Sequence, residues 1–600
     1  AVGFFNIYEA GIPVNRSFNS LPINMGVKVG HCFTRYRRKI LMLKTIAICL
    51  IAACHVSSET FVYNMKQDAA NQQRPRVISN EVPGISNFSF ATYFGDHMVL
   101  QRGPRRANIW GYAPQGSEGS VVTVTLSPGT MKKMAIVSEG PNDDSLVWKV
   151  QLDPVISGSP FNITANLMSV EIMLMDVLFG DIWVCSGQSN MEFTMTQVFN
   201  ATEELDDVDY PQIRLFAVNR VNSSTPLFDL PDNGIRLPWS LPTKATVGNS
   251  SWGYFSAVCW LYGKYLFKQL QIPLGLVETC WGGTPVEAWS SFEVLQECGL
   301  PKTKDDISKL LYQSPENFLT GLGGPNTPMV LWNAMVHPLL NMTIYGAIWY
   351  QGEANTVFNR DYYNCTFPAM INDWREKFHM HSDTDIVFPF GFVQLAGNQP
   401  TYHIDSGFPD IRWHQTADIG FVPNEKMLQT FMAVAVDLPD FLSPYGSIHP
   451  RDKQDVAARL VLGGLAVAYN RKYVEFQGPF PDMFDFMFQN YTLLIRYNAG
   501  VRKMKYYSRI GFEICCSLTS DNSCKPGISW WIPAPIIEPG EFHSVVSTSG
   551  CHRENVTGAR YAWLESPCPF KGCAVYDSVT NLPLSPFVFT NEKFRSMLIH

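Results

Sequence analysis

Six hundred residues are too many for one hydrophobic core and imply roughly two to four domains. With 46% hydrophobic and only 16% charged residues the chain is globular, not disordered, and its net charge of -7 excludes a general nucleic-acid binder.

The chain opens on Ala1, and residues 1–41 show no clear periodicity. From Met42 the texture changes: Lys44 precedes an apolar run over Ile46–Ala53, and small residues including Ser57 and Ser58 follow. That is the pattern of a secretory signal peptide, and the run is too short to span a bilayer. We expect 1–41 to be a non-native upstream segment, with an uncleaved anchor as the alternative, and 42–58 to be the signal. No later stretch is apolar and long enough for a stable membrane span. Asn-X-Ser/Thr sequons at Asn87, Asn162, Asn200, Asn222, Asn249, Asn341, Asn364, Asn490 and Asn555 fit export. Of the fourteen cysteines all but Cys32, Cys49 and Cys54 lie beyond the signal, and Cys515, Cys516, Cys524, Cys551, Cys568 and Cys573 crowd the end. In an exported chain they read as a disulfide-stapled module; a zinc site would want paired C-x-x-C spacings, which are absent. The odd number beyond the signal leaves one thiol free or paired between chains. The compartment expected is the secretory pathway, lysosomal or extracellular.

Residues 60–175 carry short, turn-bounded β runs at 88–93, 98–101, 107–112, 120–126, 134–137 and 147–152, spaced as in a small sandwich. From 176 to 472 strands and helices alternate. Strands are expected at 182–185, 274–279, 345–350, 386–395 and 431–436, and helices at 254–270, 362–378 (where Pro368 must kink the helix or mark its start) and 456–469. This predicts an α/β domain with a parallel sheet between helices, whose sites form at the carboxyl ends of the strands. Residues 473–600 return to β texture, with strands at 491–497, 511–516 and 560–564, and form a C-terminal Cys-rich β domain.

Three successive strand ends carry polar, Gly-containing turns: Ser186-Gly-Gln-Ser-Asn190, Trp281-Gly-Gly-Thr284 and Gln351-Gly-Glu353. Ser189 stands at a strand-to-helix turn, beside free helix N-terminal N–H groups that suit an oxyanion, which makes it a candidate nucleophile. Taken alone, Ser and Asn there are ordinary turn and cap residues. A serine nucleophile needs a base, usually histidine. His449 lies after the last predicted strand and before the closing helix, with Pro450 placed for that helix's start, so it falls on the same sheet edge as Ser189; His379 and His381 fall on the other. A lone loop histidine is otherwise a surface residue. For the oxyanion we expect the Ser189 N–H, a backbone N–H at Gly282 or Gly283 and the side-chain amide of Gln351. Without those roles, Gly282-Gly283 is a tight turn and Gln351 a satisfied polar residue. Trp281, Trp289, Trp349 and Trp413 are core residues or sugar-stacking ones, and Cys185, four residues before Ser189, is buried or disulfide-bonded rather than a nucleophile.

Gly-Gln-Ser-Asn-Met191, Trp281-Gly-Gly-Thr-Pro-Val-Glu-Ala-Trp289, Trp349-Tyr-Gln-Gly-Glu-Ala-Asn355 and Gly446-Ser-Ile-His-Pro-Arg-Asp-Lys-Gln454 together resemble the sialate O-acetylesterase family. Asn372-Asp-Trp-Arg375, Arg412-Trp-His-Gln-Thr-Ala-Asp418, Met98-Val-Leu-Gln101 and Trp110-Gly111 are similar too. Each motif is weak alone; their order along nearly the whole chain past the signal is specific. The resemblance implies an SGNH/GDSL hydrolase with a flavodoxin-like domain, and the β texture on either side makes the flanking modules β-sandwich-like. It implies removal of O-acetyl groups from sialic acids or sialoglycans through an acetyl-serine intermediate, with Ser189 as nucleophile, His449 as base, and no metal or cofactor. One of Gly282 or Gly283 matches the family's second block, and Gln351 stands where related enzymes carry Asn. Those enzymes often place Asp three residues before the His, where this chain has Gly446. Either a backbone carbonyl orients His449, or a carboxylate does so from Asp437, Asp440, Asp452 or Glu353. The alternatives to this function are acetylesterase action on another polysaccharide and a catalytically silent glycan-binding protein.

Overall fold

The computed structural model describes residues 76–78, 88–142, 145–156, 158–300, 324–400, 403–498, 502–518, 524, 529–551 and 556–590. The expected upstream segment 1–41, the signal 42–58 and the sequons at Asn87 and Asn555 lie outside the described residues. Among the described residues no helix is long and apolar enough to cross a membrane.

The chain is a mixed α/β protein. Its centre is a sheet of seven strands: β1 (Val170–Gly187), β2 (Ile213–Val218), β3 (Ile235–Ser240), β4 (Leu274–Cys280), β5 (Gly346–Tyr350), β6 (Phe390–Gln394) and β7 (Thr430–Val434). Their spatial order is β3-β2-β4-β1-β5-β6-β7. All neighbours pair in parallel except β3, which runs antiparallel along the edge against β2. The parallel strands β2, β4, β5, β6 and β7 are buried at every position, the pattern of strands covered on both faces. On one face Trp183 meets Tyr262 of helix α2 (Ala257–Leu270), which packs beside α4 (Lys453–Gly463). On the other, Trp349 meets Trp374 of α3 (Tyr363–His381).

The helix starts follow ordinary capping chemistry. The Ser256 hydroxyl accepts the Cys259 N–H at 3.1 Å to open α2, and the Asp452 carboxylate accepts the Asp455 N–H at 3.1 Å to open α4. The closing helix therefore begins at Lys453, with Asp452 rather than Pro450 at its head. Pro368 lies inside α3 rather than at its start. Strands β2 and β3 had no sequence expectation: β2 carries Arg214 among apolar residues without alternation, and β3 contains Pro238, which an edge strand tolerates.

Strand β1 runs unbroken across 175/176. Its first half pairs with Phe161–Leu167 in the N-terminal β region, its second half forms the middle of the parallel sheet, and the register shifts between Leu174 and Val177. After α4 the chain forms two four-stranded antiparallel sheets. One contains 481–487, 492–497, 536–539 and 543–547; the other contains 512–517, 529–533, 556–561 and 587–590. Disulfides join Cys515 to Cys524, Cys516 to Cys551 and Cys568 to Cys573, while Cys185–Cys259 ties β1 to α2 and Cys298–Cys365 reaches α3. Among the described residues Cys280 is the one free thiol, and it is buried. Of the described sequons Asn162, Asn200, Asn222, Asn249 and Asn490 are exposed, whereas Asn341 is buried and accepts from Lys149 Nζ at 2.6 Å.

At the carboxyl end of β1 the backbone is pressed against its neighbour. Gly187 has φ 140°, and a Cβ there would lie 2.2 Å from the Tyr350 carbonyl oxygen. Gly187→Ala is therefore expected to destabilise the fold by about 3 kcal/mol or more. Urea denaturation checks this, and a variant within about 0.5 kcal/mol of wild type would refute it.

Candidate active site

Three strand ends converge on Ser189. The Gln188 N–H donates to the Tyr350 carbonyl at 3.0 Å and the Trp281 N–H to the Gly187 carbonyl at 3.1 Å, so the turn after β1 is tied to both flanking strands. Ser189 then opens a single helical turn, α1 (Ser189–Glu192). The Gln188 side-chain oxygen accepts from the N–H groups of Gly352 at 3.4 Å and Ala354 at 3.2 Å, fixing the turn after β5 as well.

His449 Nε2 lies 2.8 Å from Ser189 Oγ, and Nδ1 lies 2.7 Å from the Tyr445 carbonyl oxygen. A carbonyl only accepts, so Nδ1 carries the proton and the Nε2 lone pair faces the serine hydroxyl. The orienting group is thus a backbone carbonyl. The four carboxylates considered from sequence are engaged elsewhere: Asp437 with Arg459, Asp440 with Arg451, Asp452 at the head of α4 and Glu353 with Asn190. Phe193 stacks along the His449 ring with centroids 6.4 Å apart, and Trp252 meets it edge-on at 5.0 Å. Burial in this aromatic setting, helped by the Lys453 charge, pulls the His449 pKa down to about 4, against the opposing effect of the Tyr445 hydrogen bond.

Two of the expected oxyanion donors are otherwise engaged. The Gly282 N–H donates to Glu192 Oε2 at 2.7 Å. Both amide protons of Gln351 have partners, the Thr284 carbonyl at 3.2 Å and Asn355 Oδ1 at 2.7 Å, while its oxygen accepts from the Tyr363 hydroxyl at 3.0 Å. Gln351 is a fully buried strut under the site. Gly282 packs against Ser189, since a Cβ there would lie 3.2 Å from that of Ser189. The next residue, Gly283, has φ 75°, and its N–H has no hydrogen bond among the described residues; neither has the Ser189 N–H at the start of α1.

The pair is surrounded by residues that sequence reasoning missed, and by Glu353, which it considered only as a partner of His449. Asn190 Nδ2 donates to Glu353 Oε1 at 2.5 Å and to the Ile448 carbonyl at 2.9 Å, and its Oδ1 accepts from Lys453 Nζ at 2.6 Å. Burial raises the Glu353 pKa and lowers that of Lys453 to about 7, against their mutual attraction. Glu192, also raised by burial, lies 3.1 Å from Arg220 and 3.8 Å from Arg236. The one available sequence signal is spacing: Glu192 and Phe193 stand at i+3 and i+4 from Ser189, and Lys453 at i+4 from His449. Of the tryptophans considered for sugar stacking, Trp289, Trp349 and Trp413 are buried and Trp281 is half-buried. Among the described residues no group of three His, Cys, Asp or Glu side chains is arranged to hold a metal ion.

A nucleophile–histidine pair with unpaired N–H groups beside it can open an ester by acyl transfer. The family model "Carbohydrate esterase, sialic acid-specific acetylesterase" matches residues 179–406, and "Sialate O-acetylesterase C-terminal domain" matches 484–591. The chain is 45% identical over 526 residues to a sialate O-acetylesterase of Mus musculus, covering 84% of this chain and 94% of that one. It is 45% identical over 511 residues to one of Homo sapiens, covering 84% and 92%. In fold it is similar to the crystal structure of a carbohydrate acetylesterase from Xanthomonas citri, with TM-score 0.66 and 24% identity over 84% of this chain and 99% of that one.

The His449 ring is expected to titrate near pH 4 rather than near its ordinary 6.5, and so to stay neutral through the physiological range. The pH dependence of its ring NMR shifts checks this; a midpoint at or above about 6 would contradict it.

Proposed function

The chain belongs to the sialate O-acetylesterase family, and on that footing we propose that Ser189 is its nucleophile and His449 its general base. The protein is a carboxylic ester hydrolase that removes O-acetyl groups from sialic acids. What carries the assignment of residues is the 2.8 Å approach of His449 Nε2 to Ser189 Oγ, with Nδ1 held by a carbonyl.

Neutral His449 takes the Ser189 proton as Oγ attacks the acetyl carbon. The oxyanion is met by the N–H groups of Ser189 and Gly283, in preference to those of Gly282 or Gln351, which have other partners. The imidazolium passes its proton to the departing sugar oxygen, which leaves as a hydroxyl, and acetyl-Ser189 remains. Water, deprotonated by the same His449, attacks the acetyl carbon; the imidazolium returns the proton to Ser189 Oγ as the acyl bond breaks, and acetate leaves. No carboxylate follows the histidine, so the charge on the ring during turnover is offset by the Tyr445 carbonyl alone; the unit is a dyad. Strand β1 and its neighbours, the helices on both faces, and the alternation through 176–472 support reading this part as a flavodoxin-like SGNH domain. We read 60–175 and 473–600 as β-sandwich-like modules flanking it. The O-acetylated sialic acid or sialoglycan reaches Ser189 in the secretory pathway, a lysosomal or extracellular setting, which the five disulfides and exposed sequons favour.

Ser189→Ala and His449→Ala are each expected to lower acetate release from 9-O-acetylated sialic acid by about a thousandfold or more, and the double variant to be little worse than either. Because the base must be neutral, kcat/KM should hold down to about pH 5 and fall only as pH approaches 4. Substantial turnover by folded Ser189→Ala would overturn the assignment.

A further inference from the structure

The ester that Ser189 opens sits on a sugar acid, so the substrate brings a carboxylate with it. An anion held next to a nearly dry site needs a cation with free donors. We infer that Arg220 is that cation: a specificity-determining residue that reads the sialic acid carboxylate beside Ser189. This rests on the sialate esterase reading above.

Position comes first. Arg220 follows β2 by two residues, and β2 pairs in parallel with β4, whose end carries Gly282 and Gly283. It therefore lies on the same sheet edge as the nucleophile. Its backbone is fixed there: the Asn219 N–H donates to the Gly234 carbonyl at 2.8 Å, and the Arg220 N–H to Asn219 Oδ1 at 2.9 Å. Its guanidinium reaches Glu192 Oε1 with Nη1 at 3.1 Å, and Glu192 Oε2 accepts the Gly282 N–H at 2.7 Å. One carboxylate thus separates Arg220 from the glycine packed on Ser189.

Availability comes second. Arg220 keeps 41% of its side chain exposed, and neither its Nε nor its Nη2 forms a hydrogen bond among the described residues. The other cations at this edge, among the described residues, are committed. Lys453 is fully buried on Asn190. Arg451 grips both oxygens of Asp440, at 2.6 and 3.0 Å. Arg360 is divided between Asp361 and Asp410. Arg236 is only 11% exposed and pairs with Glu278. Glu192 does not depend on Arg220 alone for compensation, because Arg236 lies 3.8 Å away and the Gly282 N–H donates to it. Arg220 can turn its remaining face to an incoming carboxylate and keep its place.

The test compares acetate release from 9-O-acetyl-N-acetylneuraminic acid and from its methyl ester, which lacks the charge, by wild type, Arg220→Gln and Arg220→Lys. Wild type is expected to favour the free acid by about tenfold or more in kcat/KM, chiefly through KM, as a charge-assisted pair at a half-exposed site allows. Arg220→Gln should bring the ratio close to one, and Arg220→Lys should restore part of it. A ratio unchanged in Arg220→Gln would overturn the inference. So would an equal loss on both substrates, which is the signature of a structural role through Glu192. Wild type that hydrolyses both without preference would leave the esterase reading standing and remove Arg220 from it. Wild type that hydrolyses neither would take down the esterase reading and this inference with it.

Discussion

The carboxamide of Asn190 is the joint on which the site depends. It lies next to Ser189, holds the carbonyl of the residue before His449, and stands between two buried side chains of opposite charge, Glu353 and Lys453. Three loops from three strand ends thus share one planar group with two donors and one acceptor. Neither charged partner is exposed, and each finds most of its compensation here; the Lys453 ammonium also lies over the rings of Phe193 and Tyr350. Leaving one member of such a buried pair without its partner typically costs about 3–5 kcal/mol. The 2.8 Å contact between Ser189 and His449 is consequently set by a network beneath it, whose members are too committed to one another to drift.

The same network shapes the chemistry. Lys453 follows His449 by four residues, at the first position of α4, and its charge adds to burial in holding the imidazole neutral. With a carbonyl rather than a carboxylate on Nδ1, nothing opposes that strongly. A base of low pKa is a weaker proton acceptor but is in the correct protonation state well into acid.

How far the sequence disclosed this varies with the range of the interaction. Ser189 and His449 were legible because each sits in a local pattern, a strand-to-helix turn and a loop between a last strand and a closing helix. The parallel strands β1, β4, β5, β6 and β7 were legible because burial on both faces leaves continuous apolar runs; β2, where Arg214 stands among the apolar residues, was not. Strand β3 was not, because Pro238 interrupts its alternation of Ile235, Leu237 and Trp239, and only an edge strand tolerates a proline there. The Gln351 role differs for another reason. Its residue type and position match an oxyanion donor, but Tyr363, Asn355 and the Thr284 carbonyl saturate the amide, and no spacing rule reveals that three partners converge. Asn190, Glu353 and Lys453 were equally hidden, since their partners lie far apart in sequence.

The C-terminal β region takes part in the same economy of buried polar groups. Arg412 is completely buried and donates to the carbonyls of Leu395 and Ala396 on one side and of Leu564 and Glu565 on the other. Asp437, twelve residues before His449, binds Arg459 of α4 and also accepts from the Tyr576 hydroxyl, and its carbonyl accepts the Lys571 N–H. Every one of these donors would be costly to bury without its acceptor. Separating the C-terminal strands from the parallel sheet would leave Arg412 and Asp437 without those partners, Asp437 on the same loop as His449. The stapled module is thus a wall of the active-site loop, and the Cys568–Cys573 bridge, beside Lys571, closes the turn that presses on it.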